Sequence, residues 1–342
     1  MRAPALWQHG RPSQVCLLSV TALCTGCAGM QSALHPAGPQ ATHISHLWWL
    51  MFWVCTGVFV LVIGFLLYAV FYPRQQNQPV TTPETERRTA RVVVAAVVIT
   101  GLVLFALLVA DFRTNRALAA LSTSQPLKIK VTGHQWWWEV QYEASIPSQI
   151  VTTANELHLP TGQPVLLELT SQDVIHSFWV PNLHGKKDLI PGYVTTLWLQ
   201  ADKPGVFRGQ CAEFCGHQHA YMAFLVIAEP PDVFSAWLEA QRSPAVAPGD
   251  ALQQRGQEVF LSAACVLCHT IRGTPAGAKA APDLTHLASR QTLAAGTLYN
   301  TPGHLAGWIV DAQQLKPGNK MPPNSLTGSN LQALLAYLTN LK

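Results

Sequence analysis

The chain has 342 residues, room for two soluble domains plus membrane segments. Charged residues make up only 12%, few for a purely soluble protein, and a net charge of +4 gives no grounds for a nucleic-acid partner. Eight cysteines would allow a disulfide framework, but two tight pairs stand beside histidines, which reads as metal and redox-cofactor chemistry. No structural disulfide is expected.

Residues 1–26 carry Arg2 and Arg11, then an apolar run from 15 to 23, then small residues. That is the layout of a secretory signal peptide. Cys24-Thr-Gly-Cys27-Ala-Gly resembles a bacterial lipoprotein cleavage site, with Cys27 as the lipidated residue and membrane lipid as its partner. Cys24 stands where such sites usually carry Leu, and the alternative is an ordinary export signal.

A transmembrane hairpin is expected over 40–112. Residues 47–72 and 92–110 are apolar for 26 and 19 positions, each enough to cross a hydrocarbon core of roughly 30 Å. Pro73 is expected to end the first span and Asp111 the second. The loop between them holds Arg74, Arg87, Arg88 and Arg91 against Glu84 and Glu86. The positive-inside rule makes that loop cytoplasmic. Everything after residue 111 then lies outside, on the periplasmic side of a bacterial inner membrane.

Residues 126–229 read as strands, at 127–131, 165–170, 195–199 and 223–228, with Pro/Gly turns between them. Short strands so spaced predict a β-sandwich, a stiff scaffold for ligands held on loops. The chemistry sits in Cys211-Ala-Glu-Phe-Cys-Gly-His-Gln-His-Ala-Tyr-Met222. Thiolate, imidazole and thioether form a soft donor set suited to copper. Two thiolates can each bridge two metals, which points to a binuclear centre. A further histidine must come from elsewhere, and Asp173-Val-Ile-His176 offers one. Within the loop, His217 and His219 are both candidates.

Residues 230–250 link to a last domain, 251–342. A short helix is expected over 234–241, and Ser243-Pro-Ala-Val-Ala-Pro-Gly249 reads as a flexible or extended tether. Cys265-Val-Leu-Cys-His269 is the c-type haem attachment motif: two cysteines for thioether bonds, and His269 for the iron. Export of this domain agrees with the topology. The sixth iron ligand is expected at Met321, whose loop is followed by two prolines; His286 and His304 are the alternatives. A Met/His pair raises the haem potential. Helices are expected over 252–263 and 330–341. Residues 126–230 carry six basic and nine acidic side chains, and 251–342 carry seven basic and three acidic. The opposite signs favour an encounter between the tethered domains, so raising salt should slow transfer between them.

Four segments now define a resemblance: Gly133-His-Gln-Trp-Trp-Trp138, Asp173-Val-Ile-His-Ser-Phe-Trp179, Lys187-Asp-Leu-Ile-Pro-Gly192 and the Cys211–Met222 loop. In order and spacing they resemble subunit II of haem–copper cytochrome c oxidase, over about residues 40–230. The last domain resembles a small class I cytochrome c. The resemblance implies a membrane protein of three parts: a two-helix transmembrane hairpin, a cupredoxin-like β-sandwich and an all-α cytochrome c domain. It implies a binuclear CuA centre held by His176, Cys211, the Glu213 carbonyl, Cys215, His219 and Met222, the family spacing selecting His219 over His217. The Glu213 side chain would reach a magnesium ion shared with subunit I. Trp136 matches the aromatic at the surface where electrons enter. Pro282 matches the residue whose carbonyl orients the haem histidine.

The expected protein is subunit II of a caa3-type oxidase. It would take electrons from a soluble cytochrome c or another donor and work beside subunits I and III. The same resemblance offers Glu84 or Glu86 for proton entrance, or neither. One rival is a quinol oxidase subunit of the same fold, which would lack the copper ligands. The other is a stand-alone membrane-anchored CuA and haem c electron-transfer protein.

Overall fold

The computed structural model describes residues 29–72, 82–120, 123 and 125–342. The expected signal peptide with Cys27, and the expected stop at Pro73, lie outside the described residues. The chain divides into two compact units, one of residues 42–122 and one containing the remainder.

In the first unit, α1 (Pro39–Phe71) and α2 (Pro83–Leu118) are long and apolar enough to cross a membrane, with their apolar side chains exposed. That exposure fits a lipid environment, because in water it would cost about 25 cal/mol per Å². Both helices outrun the apolar runs that predicted them. Nothing at the polar flanks of α2 breaks a helix. Pro83 occupies its first turn, where a missing N–H costs nothing, and the Thr82 hydroxyl accepts from the Thr85 N–H.

The second unit opens with a β-sandwich. One sheet runs in the order β3 (Val151–Ala154), β2 (Trp137–Tyr142), β1 (Leu127–His134), β5 (Val165–Ser171), β8 (Thr195–Leu199). The other runs β4 (Glu156–Pro160), β10 (Ala223–Glu229), β9 (Gly205–Cys211), β6 (His176–Trp179), β7 (Lys187–Leu189). The period-2 pattern has its expected cause: alternate residues of β5, Val165, Leu167 and Leu169, are fully buried. Tyr142 ties one sheet to the other. Its hydroxyl accepts from the His158 N–H at 2.7 Å and donates to the His158 carbonyl at 3.0 Å.

Beyond α3 (Pro231–Arg242) the C-terminal domain is built on α4 (Ala251–Ser262) and α7 (Gly328–Leu338), with α5 (Pro302–Val310) and the short α6 (Ala312–Leu315) between them. The expected all-α domain also carries a two-residue hairpin, β11 (Thr292–Leu293) and β12 (Leu298–Tyr299). Gly256 sets the crossing of α4 and α7: a Cβ there would overlap the Ala333 carbonyl and stand 2.7 Å from Tyr337 Cβ. The stretch expected as a tether is held in place. The Ala245 N–H donates to the Arg272 carbonyl at 3.0 Å, and Arg272 Nη1 donates to the Arg242 carbonyl at 3.2 Å.

Candidate metal and haem sites

Strand β6 delivers His176 and the end of β9 delivers Cys211; the loop that follows carries the rest. His176, Cys211, Cys215 and Met222 are buried. Cys211 Sγ lies 3.7 Å from Cys215 Sγ, 3.8 Å from His176 Nδ1 and 3.1 Å from the Glu213 carbonyl. Cys215 Sγ lies 3.6 Å from His219 Nδ1 and 3.8 Å from Met222 Sδ. The other four sequence-predicted positions therefore converge on the pair formed by Cys211 and Cys215, whereas His217 is exposed. The hydrogen bond between the two sulfurs holds the Cys211 thiol down to about 3 and pushes Cys215 up. A metal that takes both sulfurs as thiolates must displace the protons they carry.

Residues that the motif reading missed hold this cluster in shape. Asp173 Oδ1 accepts from His176 Nε2–H at 2.9 Å, which leaves Nδ1 free on the sulfur side. Asp173 is itself fixed by the N–H groups of Gln135 (2.7 Å) and Val174 (2.8 Å). Burial pushes its pKa up, but the bonds from His176, Gln135 and Val174 more than offset that, and it lies below the ordinary value. The Cys215 carbonyl accepts from Gln135 Nε2 at 2.9 Å and Trp136 Nε1 at 3.0 Å. The sequence signal for Asp173 was its i, i+3 spacing to His176.

Trp136 is half-buried, and the C-terminal domain lies over it: a Cβ at Gly318 would stand 3.8 Å from Trp136 Cη2. Beside it Lys316, 2% exposed, donates to the carbonyls of Trp136 (2.9 Å), Tyr221 (2.8 Å) and Ala294 (3.0 Å). Burial pushes its pKa down to about 7. Three carbonyls taking three ammonium hydrogens favour the charged form. Glu213, by contrast, has a half-open carboxylate 3.8 Å from Lys186 Nζ.

In the C-terminal domain Cys265 and Cys268 follow α4, and both thiols are free. His269 Nδ1 donates to the Pro282 carbonyl at 2.7 Å, which leaves Nε2 for a metal. Burial lowers the His269 pKa, so the ring is neutral, as ligation needs. Met321 packs with Cys265, Val266 and Leu284 on one apolar cluster. The alternatives are engaged elsewhere. His286 Nδ1 donates to the Lys342 carbonyl at 2.8 Å, and His304 Nδ1 to the Tyr299 carbonyl at 2.9 Å. The donor chemistry thus fits a thiolate-bridged copper pair in one domain and a covalently held haem in the other.

Comparison with known proteins agrees with both domains. Residues 127–229 match the periplasmic domain of cytochrome c oxidase subunit II, and residues 253–342 match cytochrome c. Cytochrome c oxidase subunit 2 of Alkalihalophilus pseudofirmus is 36% identical over 333 residues, covering 94% of this chain and 95% of that protein. The same subunit of Bacillus sp. strain PS3 is 35% identical over 63% of this chain and 62% of its own length. Among solved structures, the periplasmic domain of subunit II from Bradyrhizobium japonicum is 30% identical. It covers 36% of this chain and 97% of that one, at a TM-score of 0.33. The chain belongs to the cytochrome c oxidase subunit II family, with a cytochrome c domain at its C-terminal end. It is therefore part of a haem–copper oxidase, an oxidoreductase complex. Its two domains imply a CuA copper centre and a haem c.

Proposed function

We propose that this chain is subunit II of a caa3-type oxidase, and that His176, Cys211, the Glu213 carbonyl, Cys215, His219 and Met222 hold CuA. Cys265 and Cys268 carry the haem, with His269 and Met321 as its axial ligands. When bound, these groups supply one-electron carriers between an outside donor, such as a soluble cytochrome c, and subunit I, where oxygen is reduced to water with proton pumping. The chain's own residues supply rigidity. Asp173 fixes the His176 ring. Gln135 and Trp136 clamp the Cys215 carbonyl, and Pro282 fixes the His269 tautomer. Ligands that do not move keep the reorganisation on electron transfer small. Trp136, bonded to the Cys215 carbonyl and covered by the C-terminal domain, is the point at which electrons enter the copper domain. Glu213 offers its exposed carboxylate to a magnesium ion shared with subunit I, since magnesium needs only one or two carboxylates from the protein. Lipidation at Cys27, two membrane spans and export of both soluble domains complete the reading, with subunit III as a further partner.

The convergence of His176, His219, Met222 and the Glu213 carbonyl on two buried sulfurs carries this proposal. The test is metal content with optical and EPR spectra of the haem-matured, copper-loaded chain. Two coppers sharing one unpaired electron plus one low-spin haem c are expected. One blue-type copper, or none, overturns it. Co-purification with a large polytopic haem protein separates the oxidase subunit from a stand-alone carrier.

A further inference from the structure

We propose that Lys316 is a latch that keeps the haem-attachment domain standing on the loops around the Cys211–Met222 site, so that the two domains work as one docked body. The proposal rests on the assignment of the two cofactor sites above. It makes Lys316 a positioning residue: its ammonium reaches the copper domain only through backbone carbonyls.

The geometry is specific. Two of the three carbonyls on Nζ, those of Trp136 and Tyr221, belong to the copper domain, and the third, that of Ala294, to its own. Tyr221 directly precedes Met222, and Trp136 bonds the Cys215 carbonyl, so the latch closes on the frame of the metal loop. Flanking contacts are of the same kind. Gln218 Nε2 donates to the Pro317 carbonyl at 2.8 Å, and the Ala223 N–H donates to the Ala295 carbonyl at 3.0 Å. Buried Glu156 accepts from the Gln291 N–H at 2.6 Å. The segment bearing Lys316 is braced toward Met321: Asn319 Nδ2 donates to the Lys316 carbonyl at 2.6 Å, and its Oδ1 accepts from the Met321 N–H at 2.7 Å.

Buried polar groups left without partners are costly, and a buried lysine without acceptors more so. Undocking would exchange these charged hydrogen bonds for bonds to water, a modest net loss for each. Only the docked state needs all of them matched. An ammonium, with three donors on one atom, suits three converging carbonyls; the planar guanidinium fork does not. The ion pair across the same interface, Lys320 Nζ to Asp173 Oδ2 at 3.8 Å, is long and its lysine is exposed, so it contributes little.

The experiment uses the full chain, matured with haem and loaded with copper, as wild type and as Lys316→Met, which keeps the apolar stem. Hydrogen exchange is read at the amides of Ala223, Gln291 and Thr292, and haem-to-copper electron transfer is timed at rising viscosity. In the wild type, slow exchange and a viscosity-independent rate are expected. In Lys316→Met, exchange at those amides should rise about tenfold or more, the loss of one or two charged hydrogen bonds, and transfer should become slower and viscosity-dependent. Unchanged haem and copper spectra show that both domains remain folded; if the Met variant does not mature, Lys316→Gln is read in its place. A wild-type rate that falls in proportion to viscosity overturns the standing contact. Variant exchange equal to wild type overturns the role of Lys316. Absence of any haem-to-copper transfer in the wild type refutes the electron route instead, and leaves the exchange result to judge the latch.

Discussion

Replacing Gly256 with alanine sets two effects of opposite sign against each other. In an isolated helix the change stabilises by up to about 1 kcal/mol, because glycine is the poorer helix former. At the crossing of α4 and α7 the new Cβ would overlap the Ala333 carbonyl and meet Tyr337 Cβ at 2.7 Å. Carbon atoms pack at about 3.5–4.0 Å, so the two helices must part by about 1 Å. Tyr337 is buried and fixed in the core, so it has little room to give. Overpacking of this sort costs about 1–3 kcal/mol; a clash with a backbone carbonyl belongs at the top of that range, so the net loss is about 2 kcal/mol once propensity is credited. For a domain of this size each kcal/mol lowers Tm by about 4–8 °C. The assay is thermal unfolding of the matured full chain followed by haem absorbance. Because α4 leads into Cys265 and His269, the loss should also show as a weakened methionine–iron band. An unchanged or raised Tm would refute the reasoning, since helix propensity would then have won.

Tyr142→Phe removes the hydroxyl that serves both the N–H and the carbonyl of His158, and should lower stability by about 1–3 kcal/mol. Denaturant titration of the chain, followed by tryptophan fluorescence, checks this. Asp173→Ala frees the His176 ring; copper affinity should fall about 10–100-fold, as read by competition with a chelator, with haem content unchanged. Glu156→Gln tests linkage. Burial raises the Glu156 pKa above its ordinary 4.5, so between 4.5 and the raised value the native state holds more protons than the unfolded one. Wild-type stability therefore falls as pH rises through that window. The Gln variant lacks the titration, so its stability relative to wild type should improve from pH 4 to pH 7 on the order of the shift; parallel stability curves would refute the assignment.

The proposed copper ligands were legible because their chemistry is packed into one loop. Cys211, Cys215, His219 and Met222 lie within twelve residues, and only His176 had to be brought from another strand. Four of the ten sandwich strands, β1, β5, β8 and β10, were legible from β-branched, aromatic or alternating residues, as Val165, Leu167 and Leu169 illustrate. The ends of α1 and α2 were not, because hydropathy marks the part of a helix that needs lipid, whereas Thr82 and Pro83 decide where the backbone begins to coil. The hairpin of β11 and β12 escaped because two-residue strands have no period to detect.

The relation between the two soluble domains was the least legible, for a physical reason. Net charge gives the sign of a long-range attraction: residues 126–230 are net acidic and 251–342 net basic. It does not identify which cation is taken out of water. Lys316 reads as one of seven basic residues in its domain, flanked by Pro317 and Gly318 as any turn lysine is. Its partners are three main-chain carbonyls, and carbonyls leave no trace in side-chain identity. A surface lysine and a buried one are therefore indistinguishable until Trp136, Tyr221 and Ala294 are brought to one point. The same holds for Glu156, whose acceptors serve the N–H groups of Gln291 and Thr292 some 135 residues away. Motifs thus declared the two cofactor sites, while the contact that sets one beside the other is written in backbone atoms and emerges only with the fold.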